Sequence, residues 1–385
     1  MLYLDHAATS PVRPEVREAM LPYLTSVFGN PSSHHTVGEA AASALHDARA
    51  RVARVLGMRT GDVVFTSGGT EANNLAVKGI ALAAVERRRH EGRGAHIAVS
   101  PVEHESILES AAYLHRFHGV EVTAIEVDAA GRLTPDAVAD ALRDDTVLVA
   151  IGHANNEIGT VQDVPALAEV ARAAKVPLHV DAVQSAGWLA LDDLGADALA
   201  VAGHKLGAPK GVGALAVRGR VPLEPLLHGG GQERGRRSGT ENVAGAVALA
   251  TALELAEAER ATVAARVGAA TARFISALRE AVPHAVLTGD PVRRLPATAS
   301  FTFAGTSGEA VLLELERRGV VSSSGSACAA GSDDPSHVLL ACGVLPEIAQ
   351  TSVRFTFGRE PLPDDAPERL ASLVADAVRA VDPGR

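Results

Sequence analysis

An α/β architecture, with a mostly parallel sheet and a smaller α/β domain after it, is what this sequence predicts. Three observations carry that expectation. The middle of the chain alternates short, continuous apolar runs with helical patterns, and strands apolar on every residue are strands covered on both faces. The 385 residues are 47% hydrophobic and 21% charged, a globular balance on a length that suits two domains. After Pro283 the pattern changes to short alternating strands with further helices.

The first strong helical pattern runs from Val37 to Leu56. Its apolar residues at 37, 40, 41, 44, 45, 48, 52, 55 and 56 fall on one face of a helix, and Thr36 with Glu39 has capping-box form. Apolar runs then predict strands at Asp62–Thr66, His96–Ser100, Glu121–Val127, Thr146–Gly152, Pro177–Asp181, Asp197–Ala202 and Gly213–Val217. Helices are expected between them at about 70–90, 104–118, 134–143 and 163–174. From Val243 to Val282 the chain is almost unbroken helix-former, with Gly only at 245 and 268. A pattern that long either bridges two domains or breaks near a glycine. Beyond it come strands at Ala299–Phe303 and Val353–Phe357 and helices near 308–318 and 364–381. We expect a large domain over 14–255, and a small one formed by 1–13 with 256–385.

Charge and composition exclude several classes. Lys plus Arg is 36 against 46 Asp plus Glu, a net charge of −10, which argues against a broad nucleic-acid surface. Two cysteines make no disulfide framework. No apolar run reaches the ~18 residues of a membrane span, and the first residues lack the basic-then-apolar form of a signal peptide. The expectation is a cytoplasmic protein with neither nucleic acid nor membrane as partner. His34-His35 and His115/His118 have no third ligand at metal-binding spacing, so no intrinsic metal is expected. No Gly-x-Ser-x-Gly elbow points to a serine hydrolase.

Three segments carry chemistry. Ala202-Gly203-His204-Lys205 brings an apolar strand into a small-residue turn that presents one lysine, where a desolvated amine can act as a nucleophile and form a Schiff base. Asp181 ends a strand 24 residues upstream, on the side of the sheet where ligands bind, and a carboxylate there can keep a pyridinium protonated. Ser67-Gly68-Gly69-Thr70-Glu71 joins a strand to a helix. Its backbone N–H groups and Thr70 hydroxyl suit a small phosphate ester.

In this order and context the chain resembles the cysteine desulfurases of the NifS/IscS type, within the class V pyridoxal-phosphate-dependent aminotransferase family. The likeness covers nearly the whole chain. It includes Tyr3–Thr9, Phe28–Ser33, Glu103-His104, Asn155–Gly159, Val180–Ser185, His228–Glu233, Arg237–Asn242, Ser323–Cys328 and Val353–Phe355. The resemblance implies fold type I of the pyridoxal-phosphate enzymes, the aspartate-aminotransferase-like fold. It implies that Lys205 holds pyridoxal 5'-phosphate, Asp181 faces the ring nitrogen, Gln184 the ring hydroxyl, and Gly69, Thr70 and His204 the phosphate. His104 would stack on the ring and move substrate protons, Asn155 would lie beside ring and substrate, and Arg354 would grip the substrate carboxylate. Thr240 would reach the phosphate of a neighbouring subunit, which implies a homodimer.

Every residue from Ser322 to Ser332 except Cys328 is small, which predicts a mobile loop carrying one thiol. The family reading makes Cys328 the nucleophile that takes sulfur from L-cysteine as a persulfide, leaving L-alanine, and passes it to a sulfur acceptor or iron–sulfur scaffold. Cys328 would touch an iron–sulfur cluster only transiently. Cys342, in the apolar pattern Ser336–Val344, is expected to be a packing residue. Ala202 stands where the family commonly has a serine that aids the phosphate, so weaker cofactor retention is expected. A selenocysteine lyase, and a non-catalytic sulfur-relay or scaffold protein, stay open as alternatives.

Overall fold

The computed structural model describes residues 1–89, 94–325 and 334–382, and Cys328 lies outside them. In chain order come β1 (Leu2–Tyr3), α1 (Pro14–Met20), α2 (Pro22–Thr25), α3 (Thr36–Val55), β2 (Val63–Thr66), α4 (Gly69–Arg89), β3 (His96–Val99), α5 (Glu105–His118) and β4 (Glu121–Ala124). Then follow α6 (Pro135–Ala141), β5 (Thr146–Gly152), α7 (Val164–Ala173), β6 (Leu178–Asp181), β7 (Ala198–Ala202), β8 (Gly213–Val217) and α8 (Val243–Ala281). The last part holds β9 (Ala285–Leu287), β10 (Thr298–Phe303), α9 (Gly308–Arg317), β11 (Val320–Val321), α10 (His337–Ala341), α11 (Pro346–Ala349), β12 (Ser352–Thr356) and α12 (Ala366–Val381).

Among the described residues the main sheet has seven strands in the order β2-β8-β7-β6-β5-β3-β4. The pairs β3–β4, β3–β5, β5–β6 and β6–β7 are parallel, while β8 runs against both of its neighbours. The continuously apolar strands are therefore buried between helix layers, as their composition requires, while the edge strand β4 is exposed at both ends. In β7 and β8 every residue is buried. Because β5, β6 and β7 are parallel and paired in register, Gly152 and Asp181 lie side by side where the strands end.

The 39-residue α8 does not break at either glycine. Gly245 lies against its own cap, Asn242, whose side chain accepts the Gly245 N–H at 2.9 Å. The first half of the helix packs Val247, Leu249 and Leu253 into the core under the main sheet. Its second half packs Val263, Phe274 and Leu278 into a second core, where Phe274 meets Phe355 and Phe357 edge-on at 5.1 and 5.7 Å. The antiparallel set β12-β10-β9 backs this second core.

Leu4 is anchored in the same second core, and β1 pairs with β11. Residues just beyond Leu4 then cross to the ends of the main strands. One local expectation is corrected. The cap of α3 is His35, whose ring accepts the Gly38 N–H at 3.1 Å, so Thr36 is already the first helical residue and Thr36–Glu39 is not a capping box. No helix among the described residues is long and apolar enough to cross a membrane.

Candidate active site

A cavity of about 520 Å3 opens at the carboxyl ends of β5, β6 and β7. Helix α4 begins on one wall. Gly69 is required there, because a Cβ would meet Val183 Cγ2 at 2.8 Å and Ala202 Cβ at 3.3 Å. The N–H groups of a first helical turn have no intrahelical acceptors, and with the Thr70 hydroxyl they form an anion cup. Below the cup, Glu71 accepts the Ser67 N–H at 2.9 Å and Arg237 Nε at 3.0 Å. Burial pushes the Glu71 carboxyl up, but those hydrogen bonds outweigh it and hold the group below its ordinary range.

Lys205 sits one turn beyond β7. The turn is tight, since a Cβ on Gly203 would lie 3.0 Å from both Ala208 Cβ and Val212 Cγ1. Lys205 Nζ donates to the carbonyls of Ala7 and Ala8, the latter at 2.8 Å, which fixes the amine against the crossing N-terminal segment. The chain has four lysines, at 78, 175, 205 and 210, and Lys205 and Lys210 both line the cavity.

Asp181 ends β6. Its Oδ1 accepts the Val183 N–H at 2.8 Å and its Oδ2 accepts Asn73 Nδ2 at 2.7 Å. Glu103 is buried beside it, hydrogen-bonded by the Gly152 backbone and Ser100. Burial first, then the charge of Asp181, raise its carboxyl to about 8. A side chain on Gly152 would approach Glu103 Oε2 to 2.9 Å, so that strand end has room for the acid only because residue 152 is glycine. His204 meets Thr9 Oγ1 at 3.2 Å, and burial together with Lys205 and Lys210 lowers its ring to about 4.

Eight of the residues singled out in the sequence line this one cavity: Gly69, Thr70, His104, Asn155, Asp181, Gln184, His204 and Lys205. Gln184 Nε2 donates to the Ala7 carbonyl at 3.1 Å. Asn155 uses its carboxamide on the backbone of Val102, Glu157 and Ile158, at 2.7 to 2.9 Å, and so shapes the wall it belongs to. Arg354 is not on the wall. It is 2% exposed, with Nη2 on Asp5 Oδ1 at 2.7 Å and Nη1 on the Asn156 carbonyl at 2.8 Å. Its Nε is buried without a partner among the described residues.

Thr240 is exposed and outside the cavity. Its segment is pinned through Glu233, which takes Arg49 Nη2 at 2.8 Å in a buried pair. Cys342 packs with Val102, Ile158 and Val338, and burial raises its thiol to about 11, which keeps it protonated and unreactive. Sequence reasoning missed Asn73, Ser106 and Asp5 as site builders. Asparagine inside a helical pattern was the one available signal, because asparagine is a weak helix former there.

The donor set fits pyridoxal phosphate. An anion cup, an amine and a carboxylate stand on three walls of one cavity, matching the phosphate, aldehyde and ring nitrogen of that molecule.

Residues 2–365 match the family model for Aminotransferase class-V. The chain is 42% identical over 386 residues to cysteine desulfurase IscS of Dictyoglomus turgidum, an alignment spanning 99% of this chain and 96% of that relative. A solved NifS-like protein superposes with a TM-score of 0.89 at 32% identity, covering 99% of this chain and all of that one. SspA in complex with cysteine superposes with a TM-score of 0.81 at 35% identity, over 94% of this chain and 100% of the other.

Proposed function

The chain belongs to the class V aminotransferase family, and from that premise we propose that it is a pyridoxal-phosphate-dependent cysteine desulfurase in which Lys205 and Cys328 carry the reaction. Its fold is fold type I of the pyridoxal-phosphate enzymes. The observation that carries the residue assignment is the convergence of Lys205, Asp181 and the Gly69–Thr70 cup on one cavity.

When bound, the cofactor supplies an electron sink for charge developing at the substrate Cα. Gly69 and Thr70 bind the phosphate through N–H and hydroxyl donors, with His204 beside them. Asp181, fixed by Val183 and Asn73, holds a proton on the ring nitrogen. Gln184 would hold the ring hydroxyl and His104 would stack on the ring. Lys205 Nζ takes the Cα proton of L-cysteine and returns a proton on the way to L-alanine. The Cys328 thiolate attacks the substrate sulfur, the Cβ–S bond breaks with its electron pair staying on Cβ, which takes a proton, and the sulfur leaves as a persulfide on Cys328. Gly325 lies against Glu157, and Ser336 Oγ bonds Glu157 Oε2 at 2.5 Å. Glu157 is two positions from Asn155 on the cavity wall, which supports delivery of the thiol from that side.

Arg354, off the cavity wall and paired with Asp5 in this structure, would receive the substrate carboxylate by exchanging the Asp5 carboxylate for it. A homodimer, with Thr240 at the partner's phosphate, is supported by the exposed placement of Thr240 on an anchored segment. The acceptor is a sulfur-carrying or iron–sulfur scaffold protein. A cofactor-binding unit over 14–255, with the remainder as a smaller unit bearing Cys328, is supported by the apolar clusters under the main sheet and around Phe274, which share no residue. Cys328→Ser tests the assignment. It should keep the colour of the bound cofactor and lose release of alanine from cysteine; continued turnover would remove Cys328 as nucleophile. Alanine release from selenocysteine by the same variant, with none from cysteine in the native enzyme, would favour a selenocysteine lyase.

A further inference from the structure

We propose that Asn73 is a positioning residue whose single carboxamide locks the Asp181 carboxylate and fixes the imidazoles of His104 and His179 around it. The inference rests on the cofactor reading given above and extends its Asn73–Asp181 contact to Ser106 and His179, which that reading does not use.

Asn73 is 1% exposed on the second turn of α4, and each of its polar hydrogens and its oxygen is accounted for. Its Nδ2 donates to Asp181 Oδ2 at 2.7 Å and to Ser106 Oγ at 2.9 Å. Its Oδ1 faces His179 Nε2 at 3.0 Å. An amide oxygen only accepts, so the His179 Nε2 that faces it carries a proton. Ser106 has received a hydrogen from Asn73, so its own hydroxyl proton is available to His104 Nδ1, 2.9 Å away. The Ser106 backbone N–H also donates to that nitrogen, at 3.0 Å, as the cap of α5. His104 Nδ1 is thus an acceptor twice over, and in the neutral ring the proton sits on Nε2.

The direction of every bond follows from one choice, the orientation of the Asn73 amide. Reversing it would set an amide oxygen against the Asp181 carboxylate and two N–H groups against the His179 N–H. Asn73, Ser106, His104 and Asp181 all line the cavity. The carboxylate assigned to the ring nitrogen and the imidazole assigned to the ring face are therefore linked by two intervening side chains. Neither contact is local, because Asn73 reaches 108 positions to Asp181 and 33 to Ser106.

The titratable groups facing Asn73 are Asp181 and His179 from β6 and His104 at the start of α5, with Glu103 beside Asp181. Between pH 5.5 and 7, His179, lowered by burial to about 4, and Glu103, raised to about 8, both keep one protonation state. Cofactor-free wild type, Asn73→Ala and Asn73→Asp are titrated with pyridoxal phosphate at pH 5.5 and 7. Asn73→Ala should bind roughly 10- to 100-fold more weakly at both pH values, the loss of one charge-assisted hydrogen bond. Asn73→Asp should bind weakly at pH 7, where two carboxylates face each other. It should recover toward wild type at pH 5.5, where the introduced carboxyl holds a proton to donate to Asp181. Binding like wild type by both variants, or equal weakening of both at both pH values, would overturn the proposal.

A second measurement needs no cofactor. Ring-15N-labelled histidine in the cofactor-free protein should show His179 as a fixed Nε2–H tautomer in wild type and as a mixture in Asn73→Ala. Identical His179 signals in the two proteins would count against the proposal. If wild type failed to take up pyridoxal phosphate while the His179 signals still changed, the cofactor reading would fall and the Asn73 network would stand.

Discussion

Glu103→Gln should remove a large, specific part of the pH dependence of stability. Burial and the neighbouring Asp181 raise the Glu103 carboxyl to about 8 in the folded chain, against an ordinary 4.5. Between those values the folded protein keeps a proton that the unfolded chain has released. Stability from this group is therefore complete below pH 4.5 and is lost progressively as pH rises to 8. A displacement of about 3.5 units, at roughly 1.4 kcal/mol each, is on the order of 5 kcal/mol over the whole window. Glutamine keeps the shape and has no proton to lose. Urea unfolding of the cofactor-free wild type and variant, in steps from pH 4.5 to 8.5, isolates the effect, because titrations at His153, His179 and His204 are common to both and cancel. The variant should gain on wild type by about 1.4 kcal/mol per pH unit across the middle of the range. Parallel curves would mean that Glu103 is already ionised in the fold, and the account of this end of the cavity would be wrong.

Two other substitutions test separate parts of the account. Glu233→Ala leaves Arg49 buried and uncompensated and should cost about 3–5 kcal/mol, read as a lower unfolding midpoint; an unchanged midpoint would show that the pair does not anchor the 228–242 segment. Arg354→Lys keeps the charge but loses the fork, so the KM for cysteine should rise roughly tenfold or more with the cofactor absorbance unchanged. A KM equal to that of wild type would take Arg354 out of substrate recognition.

Much of the fold was legible because burial on both faces leaves a signature that short windows detect. Thr146–Gly152 and Gly213–Val217 were read to the residue, and the other main strands to within three residues at an end. The two-residue strands β1 and β11 were not found, since pairing of Leu2 with Val320 depends on the tertiary fold and no local pattern encodes it. The same holds for α2, four residues beginning at Pro22. His35 displaced the expected cap because an imidazole nitrogen can accept an N–H as a hydroxyl does, a possibility a Ser/Thr/Asp/Asn rule passes over.

The site divides in a similar way. Lys205, Asp181 and Gly69–Thr70 were readable because each sits where a strand ends, and strand ends can be located from sequence. Asn73, Ser106 and Asp5 were not, because what they do is set by partners far along the chain: Asp181, Asn73 and Arg354. Arg354 was found through a motif, but its burial against Asp5 could not be read from its own strand pattern.

The central claim is that Lys205 is the residue that binds the cofactor covalently. Reduction of the pyridoxal-phosphate-loaded protein with borohydride, followed by peptide mapping, decides among only four lysines. The account predicts a pyridoxyl adduct on Lys205 alone; an adduct on Lys210 instead, or none on any lysine, would contradict it.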